Sequence, residues 1–300
     1  MGNIVSYKNG NYTVMLNLSD GSKMRFNNLD NLTPDHAESI DVTISKYCEM
    51  NCGFCYAGCS KDGKHADIMS PSFIDNLSPY TELALNGNEP LHPDIVPFLK
   101  KCKKLKLVPS ITVNQTTFMK NIDLLKTLGD DKLVYGLGVS LTNTNDSFIE
   151  AIKQFPNAVI HVVNGIVDTG QLYVLSDKGL KILILGYKNV GRGVDYYGYN
   201  ALDVEVKKAA LCSELKDIID ENWFDVVSFD NLALKQLEVK RLMSEDEWAR
   251  FYCGDDGQYT FYADMVDNKF YKNSMSDIGY DLLDDPKTMF DIIHNKTKDN

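Results

Sequence analysis

Between residues 40 and 229, short apolar, β-branched runs alternate with stretches whose apolar residues recur every three to four positions. The runs 40–45, 82–85, 110–113, 134–140, 159–163, 181–185 and 224–229 have the length and composition of buried strands. The stretches 94–106, 119–128, 145–154, 170–177 and 202–219 carry the helical period. Strands alternating with helices predict a parallel sheet joined by right-handed crossovers. The strand runs are apolar along most of their length, as expected where helices cover one face and a filled interior the other. The expected fold class is α/β: a partial TIM-like barrel of six or seven β/α units. Sites in such barrels gather at the C-terminal ends of the strands.

The flanks read differently. Asn9-Gly10 and Asp20-Gly21 each sit between alternating runs, a hairpin signal. Residues 1–38 are therefore expected to form a β-hairpin extension, or small meander, packed on a barrel of residues 39–230. Beyond Asp230, the stretches 232–242 and 244–252 look helical, with Ser244 and Glu247 spaced as a capping box. A Gly254-Asp-Asp-Gly257 turn then separates strand-like segments ending near Val266. Residues 231–300 are expected to form a short α+β cap folding over the barrel mouth, with Tyr252, Tyr259, Phe261 and Tyr262 as apolar cover.

Composition narrows the function classes. The chain is 44% hydrophobic, enough for a large core, and no apolar run reaches the roughly 18 residues needed to span a bilayer. The formal net charge of −11 disfavours nucleic-acid binding. The lysine-rich segment 100–106 lies on a helical pattern with Phe98, Leu99, Cys102 and Leu105 turned inward, so it reads as a solvated face. The first residues carry neither a basic n-region nor an apolar h-region, and a cytoplasmic location is expected. Seven cysteines in a reducing compartment read as metal ligands plus stray thiols.

Three of them stand as Cys48-Glu-Met-Asn-Cys52-Gly-Phe-Cys55, directly after the first barrel strand and hence at its C-terminal end. Three thiolates can hold three irons of a [4Fe–4S] cube and leave the fourth iron open to a small chelating molecule. Cys59 follows at the same x3 spacing. A zinc-stabilised, non-enzymatic binding protein using Cys48, Cys52, Cys55 and Cys59 is therefore the alternative.

The triplet, with Phe54 before its third cysteine, resembles the motif of radical S-adenosylmethionine (radical SAM) enzymes. Asn86-Gly-Asn-Glu-Pro90 is similar to that family's Gly-Gly-Glu-Pro element, keeping Gly87, Glu89 and Pro90 but having Asn86 and Asn88 around them. The resemblance implies a [4Fe–4S] cluster on Cys48, Cys52 and Cys55. It also implies SAM held by Phe54, Gly87, Asn88 and Glu89, and a 5′-deoxyadenosyl radical that abstracts hydrogen from a substrate. A one-electron donor such as flavodoxin or ferredoxin is the implied partner. Asn114, Ser140 and Asn164 close later strands where the family contacts the ribose and carboxylate, and Leu185 closes the strand that flanks adenine. The layout is also similar to small radical SAM proteins of bacteriophage and gut-bacterial genomes. That likeness rests on Cys55-Tyr-Ala-Gly-Cys59, Leu185-Gly-Tyr-Lys-Asn-Val-Gly-Arg-Gly193, Ser228-Phe-Asp-Asn-Leu-Ala233 and Asp255-Asp-Gly-Gln-Tyr-Thr260, and it implies no particular substrate.

Several residues are substrate-side candidates. Arg192, between two glycines, offers a planar fork for an anionic group. Ser228 and Asp230 end the last strand of the series, although Asp230 also reads as a helix N-cap. His65 follows the cysteine loop as a candidate proton carrier, and Cys253 is a candidate hydrogen-atom donor. Cys102, Cys212 and Cys253 are too scattered to hold a second cluster.

Overall fold

The computed structural model describes residues 3–28 and 31–298. A three-stranded antiparallel meander opens the chain: β1 (Ile4–Asn9), β2 (Tyr12–Asn17) and β3 (Lys23–Phe26). The alternating series follows as β4 (Ser39–Thr43), β5 (Glu82–Asn86), α1 (Ile95–Lys104), β6 (Val108–Asn114), α2 (Gln115–Lys120), α3 (Ile122–Asp130) and β7 (Gly136–Ser140). It continues through α4 (Asp146–Ile152), β8 (Ala158–Val163), α5 (Thr169–Leu175), β9 (Lys181–Leu185), α6 (Arg192–Asp220) and β10 (Val226–Phe229). The remainder holds α7 (Asn231–Gln236), α8 (Glu245–Phe251), β11 (Thr260–Asp264), β12 (Lys269–Tyr271), β13 (Gly279–Asp281) and α9 (Pro286–Lys298). No described helix is long and apolar enough to cross a membrane.

All seven strands expected from the sequence form one parallel run, from β4 through β10 in chain order. The fold is α/β with a large parallel sheet, as a partial TIM-like barrel requires. One further strand joins this run. β11, from the segment expected only to cap the mouth, pairs with β4 in parallel, Thr260 opposite Ser39 through Asp264 opposite Thr43. The antiparallel β12 and β13 extend that edge. The 254–257 turn follows α8 rather than a strand, and Phe261 packs in the main core. A deletion from Cys253 onward would strip a sheet strand rather than a lid.

Strand side chains alternate between a dry outer face and the lumen. Ile40 and Val42, Leu83 and Leu85, Ile111 and Val113, and Ile182 and Ile184 are fully buried against the helices. The intervening positions, among them Asp41, Asn86, Asn114, Ser140 and His161, keep some exposure. This polar, incompletely filled interior sets the barrel apart from a packed core.

The meander seals the N-terminal end of the strands. Glu38, at the foot of β4, is 1% exposed. Its carboxylate accepts from the Tyr12 hydroxyl at 2.6 Å and Arg25 Nε at 2.8 Å, and pairs with Lys23 at 3.1 Å. Arg25 also lies 4.0 Å over the Tyr259 ring, which packs with Tyr12 and Val14 in a separate apolar cluster. Tyr259 therefore belongs to this seal and not to cover over the mouth.

Candidate active site: the cysteine loop

The loop bearing the cysteines leaves β4 and returns on itself. Lys46 N–H donates to Lys64 O at 2.8 Å, Ser60 N–H to Lys46 O at 3.0 Å and Cys48 N–H to Ser60 O at 2.8 Å, so its two stems are stapled together. Cys48, Cys52, Cys55 and Cys59 are all free thiols of intermediate exposure. The Cys55 thiol is pulled down, first by a hydrogen bond from the Cys59 thiol, with the Arg192 guanidinium adding to it. The Cys59 thiol moves upward as the donor of that pair. Burial raises Cys52, with Cys55 and Cys48 reinforcing it. No three described His, Cys, Asp or Glu side chains converge on a point that one metal ion would fill. A zinc ion needs its thiolates drawn to about 2.3 Å from one centre. A cube gives each thiolate its own iron and asks for no common centre.

Arg192 has a different position from the one expected. Its guanidinium donates to three carbonyls of the cysteine loop: Cys52 O at 3.1 Å, Gly58 O at 3.3 Å and Cys59 O at 2.8 Å. The fork is thus spent on the loop rather than turned to a substrate. Gly191 comes so close that an added Cβ would stand 2.2 Å from Tyr56 O, at a φ of +55°. Arg192→Lys keeps the charge but cannot span three acceptors. Reconstituted Arg192→Lys is expected to lose iron to a chelator on the order of ten times faster than the parent, the cost of about one charged hydrogen bond. An unchanged rate of iron loss would show that the fork does not hold the loop.

Other expected residues gather at the same end of the sheet. Phe54 stacks edge-on with Tyr196 of α6, ring centroids 5.8 Å apart. Gly87 follows β5 at φ +123°, where an added Cβ would stand 2.1 Å from Ser45 O, so only glycine lets this turn touch the stem of the cysteine loop. Asn88 is left-handed and 7% exposed, and neither its amide nitrogen nor its oxygen finds a partner among the described residues. Glu89 opens a short 3-10 turn, Glu89–Leu91; its side chain lies outside the described residues. Asn164 is fully buried, donates to Gln236 at 3.1 Å and leaves its oxygen unpartnered among the described residues. Ser140 and Leu185 end β7 and β9, both partly exposed.

Several expected residues are engaged in local structure. Asn114 caps α2, accepting from Thr117 N–H at 2.8 Å and donating to Thr117 Oγ1 at 3.1 Å. Asp230 caps α7 through Ala233 N–H at 2.7 Å and also accepts from Gly186 N–H at 2.9 Å. Ser228 donates to Ile182 O within the sheet at 2.9 Å. His65 lies beside the loop stem, its Nδ1 2.9 Å from Ser45 Oγ and its ring 4.8 Å from His92. Burial, with His92 beside it, lowers its pKa. Cys253 is exposed, and its carbonyl accepts from Arg25 of the meander at 3.3 Å.

Sequence reasoning passed over the lumen itself. Asp41 points into it from β4. Water reaches this side chain, yet protein surrounds it, and burial raises its carboxyl to about 6 against the pull of Lys188. Lys188 donates to Ser274 Oγ at 2.8 Å and lies 4.0 Å over the Tyr56 ring. Burial lowers its pKa, opposed by Asp230, Asp41 and Asp256. Asn231 and Asn273 each donate to Asp256 at 2.7 Å, tying residues 254–257 to the top of β10 and to the segment after β12. His161 lies across Gly138, and burial holds its ring down at about 4. The available signal was a charged residue at the inward position of an apolar strand, Asp41 and His161 both being instances.

No protein-family model and no curated protein matches this sequence. Among solved structures, Streptococcus suis SuiB bound to S-adenosylmethionine is similar, with a TM-score of 0.58 and 12% identity, covering 90% of this chain and 81% of that one. A second structure of Streptococcus suis SuiB is similar at a TM-score of 0.55, with the same identity and coverage. At such identity the likeness is one of architecture, and this chain has the fold of SuiB.

Proposed function

We propose that this protein is a radical SAM enzyme, with a [4Fe–4S] cluster on Cys48, Cys52 and Cys55 and S-adenosylmethionine beside it. The carrying observation is the placement of three free, half-buried cysteines on a stapled loop at the C-terminal end of β4, against a glycine turn from β5. The similar fold of SuiB, whose structure holds S-adenosylmethionine, supports the reading. With both groups bound, such a site supplies one electron to the sulfonium and releases a 5′-deoxyadenosyl radical, which takes a hydrogen atom from the substrate.

The chain's own part is positional. Arg192 fixes the cysteine loop, and the short reach of Gly87 brings the 87–90 turn against it. The amide of Asn88, unpartnered among the described residues, leaves a donor and an acceptor for a ligand. The substrate would enter at the mouth bounded by Asp41, Lys188 and residues 273–277. A flavodoxin- or ferredoxin-type donor would supply the electron.

Reconstituted under nitrogen and reduced with dithionite, the protein is expected to form 5′-deoxyadenosine and methionine, slowly even without substrate. Glu89→Gln is expected to weaken S-adenosylmethionine binding about tenfold by removing a charge-assisted hydrogen bond to the methionyl amine. A colourless, zinc-loaded protein that leaves S-adenosylmethionine intact would overturn the proposal.

A further inference from the structure

A cavity of about 220 Å³ opens between the cysteine loop and residues 273–277. Three tyrosines line it: Tyr56, next to Cys55, Tyr262 on β11 and Tyr271 on β12. The Tyr262 and Tyr271 rings stand 5.8 Å apart and inclined by 48°, two walls of a partial cage. Asp264 and Asp277 share the lining. Lys46 lines it too, but that ammonium is matched by Asp264 at 3.1 Å and by Asp267. Asp277 is exposed, and no described residue pairs with it.

Ring faces carry negative quadrupole density and attract cations. The protein already uses one of these rings that way, with the Lys188 ammonium over Tyr56. Behind the cage, the Asp41 carboxylate acts on both Tyr56 and Tyr262. An anion entering here would meet ring faces and carboxylates. A neutral apolar group would fill the space and leave Asp277 unanswered. A cavity of about 150 Å³ accommodates benzene, so this one has room for a trimethylammonium-sized head.

We propose that this cavity is a subsite for an alkylammonium group of the substrate, held by the faces of Tyr262 and Tyr271 and by the Asp277 carboxylate. The inference deepens the function proposed above, because the cavity adjoins the cysteine loop. Its test reads binding alone, so the two stand or fall separately. Choline and its neutral isostere 3,3-dimethylbutan-1-ol would be titrated into the full-length protein under nitrogen, with ligand-observed NMR as the readout. Choline is expected to bind in the millimolar range, and the isostere at least about five times more weakly. Tyr271→Ala should weaken choline about five- to tenfold, Tyr271→Phe should restore it, and Asp277→Asn should weaken it by a similar factor. Equal binding of the isostere, or no binding of choline, would overturn the subsite. So would unchanged choline affinity in Asp277→Asn, an exposed position whose change leaves the fold intact. Choline binding by a protein that never cleaves S-adenosylmethionine would remove the enzymatic reading and leave the subsite standing.

Discussion

Cys48→Ala, Cys52→Ala and Cys55→Ala are each expected to abolish the cluster, whereas Cys59→Ala keeps it. Iron and sulfide in the reconstituted parent should be about four each per chain, and in the three single variants close to background. The contrast follows from what each cysteine does. Cys59 donates a hydrogen bond to the Cys55 sulfur while keeping its own proton, and its contact with Arg192 runs through the main-chain carbonyl, which alanine retains. The loop should therefore keep its shape in Cys59→Ala, and only the hydrogen bond that lowers the Cys55 thiol is lost. A zinc site built on four thiolates would respond to all four changes alike. If Cys59→Ala also empties the protein of iron, the ligand assignment is wrong.

Glu38→Ala is expected to lower stability by about 3–5 kcal/mol, the usual cost of removing one partner from a buried ion pair. For a chain of this size that corresponds to a fall in melting midpoint of roughly 5–8 °C. The change leaves Arg25 and Lys23, both 17% exposed, without the carboxylate between them, and strips the Tyr12 hydroxyl of its acceptor. Burial alone would push the Glu38 carboxyl up. The hydrogen bond from Arg25, the Lys23 ammonium and the Tyr12 hydroxyl outweigh it and hold the carboxyl below the ordinary range. A depressed carboxylate contributes stability above its unfolded-state pKa and loses it as pH falls through the folded value. The parent should thus destabilise at acid pH more steeply than Glu38→Ala, and parallel melting curves across that range would show that the network is not what seals the barrel.

What could be read from the sequence was local. Apolar runs of strand length and a helical period between them fix β4 to β10, because each depends only on neighbours in the chain. The cysteine spacing and Gly87 were visible for the same reason. The pairing of β11 with β4 was not, since nothing in residues 260–264 says which distant strand they will meet. Arg192 illustrates a different limit. Its flanking glycines announce a close approach, but a sequence does not show whether the approaching surface is a ligand or the cysteine loop. Asp230 was ambiguous between ligand contact and helix cap, and Asn114 was read only as a ligand contact. The structure engages both in capping bonds, which satisfies donors that each helix start would otherwise leave open.

The partnership of β4 with β11 joins residues 221 positions apart, Ser39 with Thr260. At the usual pace of about 5–20 residues per second, a ribosome needs on the order of 10–45 seconds to travel that distance. Throughout that interval β4 keeps one bare hydrogen-bonding edge, the kind of edge that invites pairing with a foreign strand. The cysteines hang from that same strand. Delivery of iron and sulfur to the nascent chain is thus expected to come after β11 has docked, and messages cut short before residue 260 should yield polypeptides that aggregate instead of taking up metal.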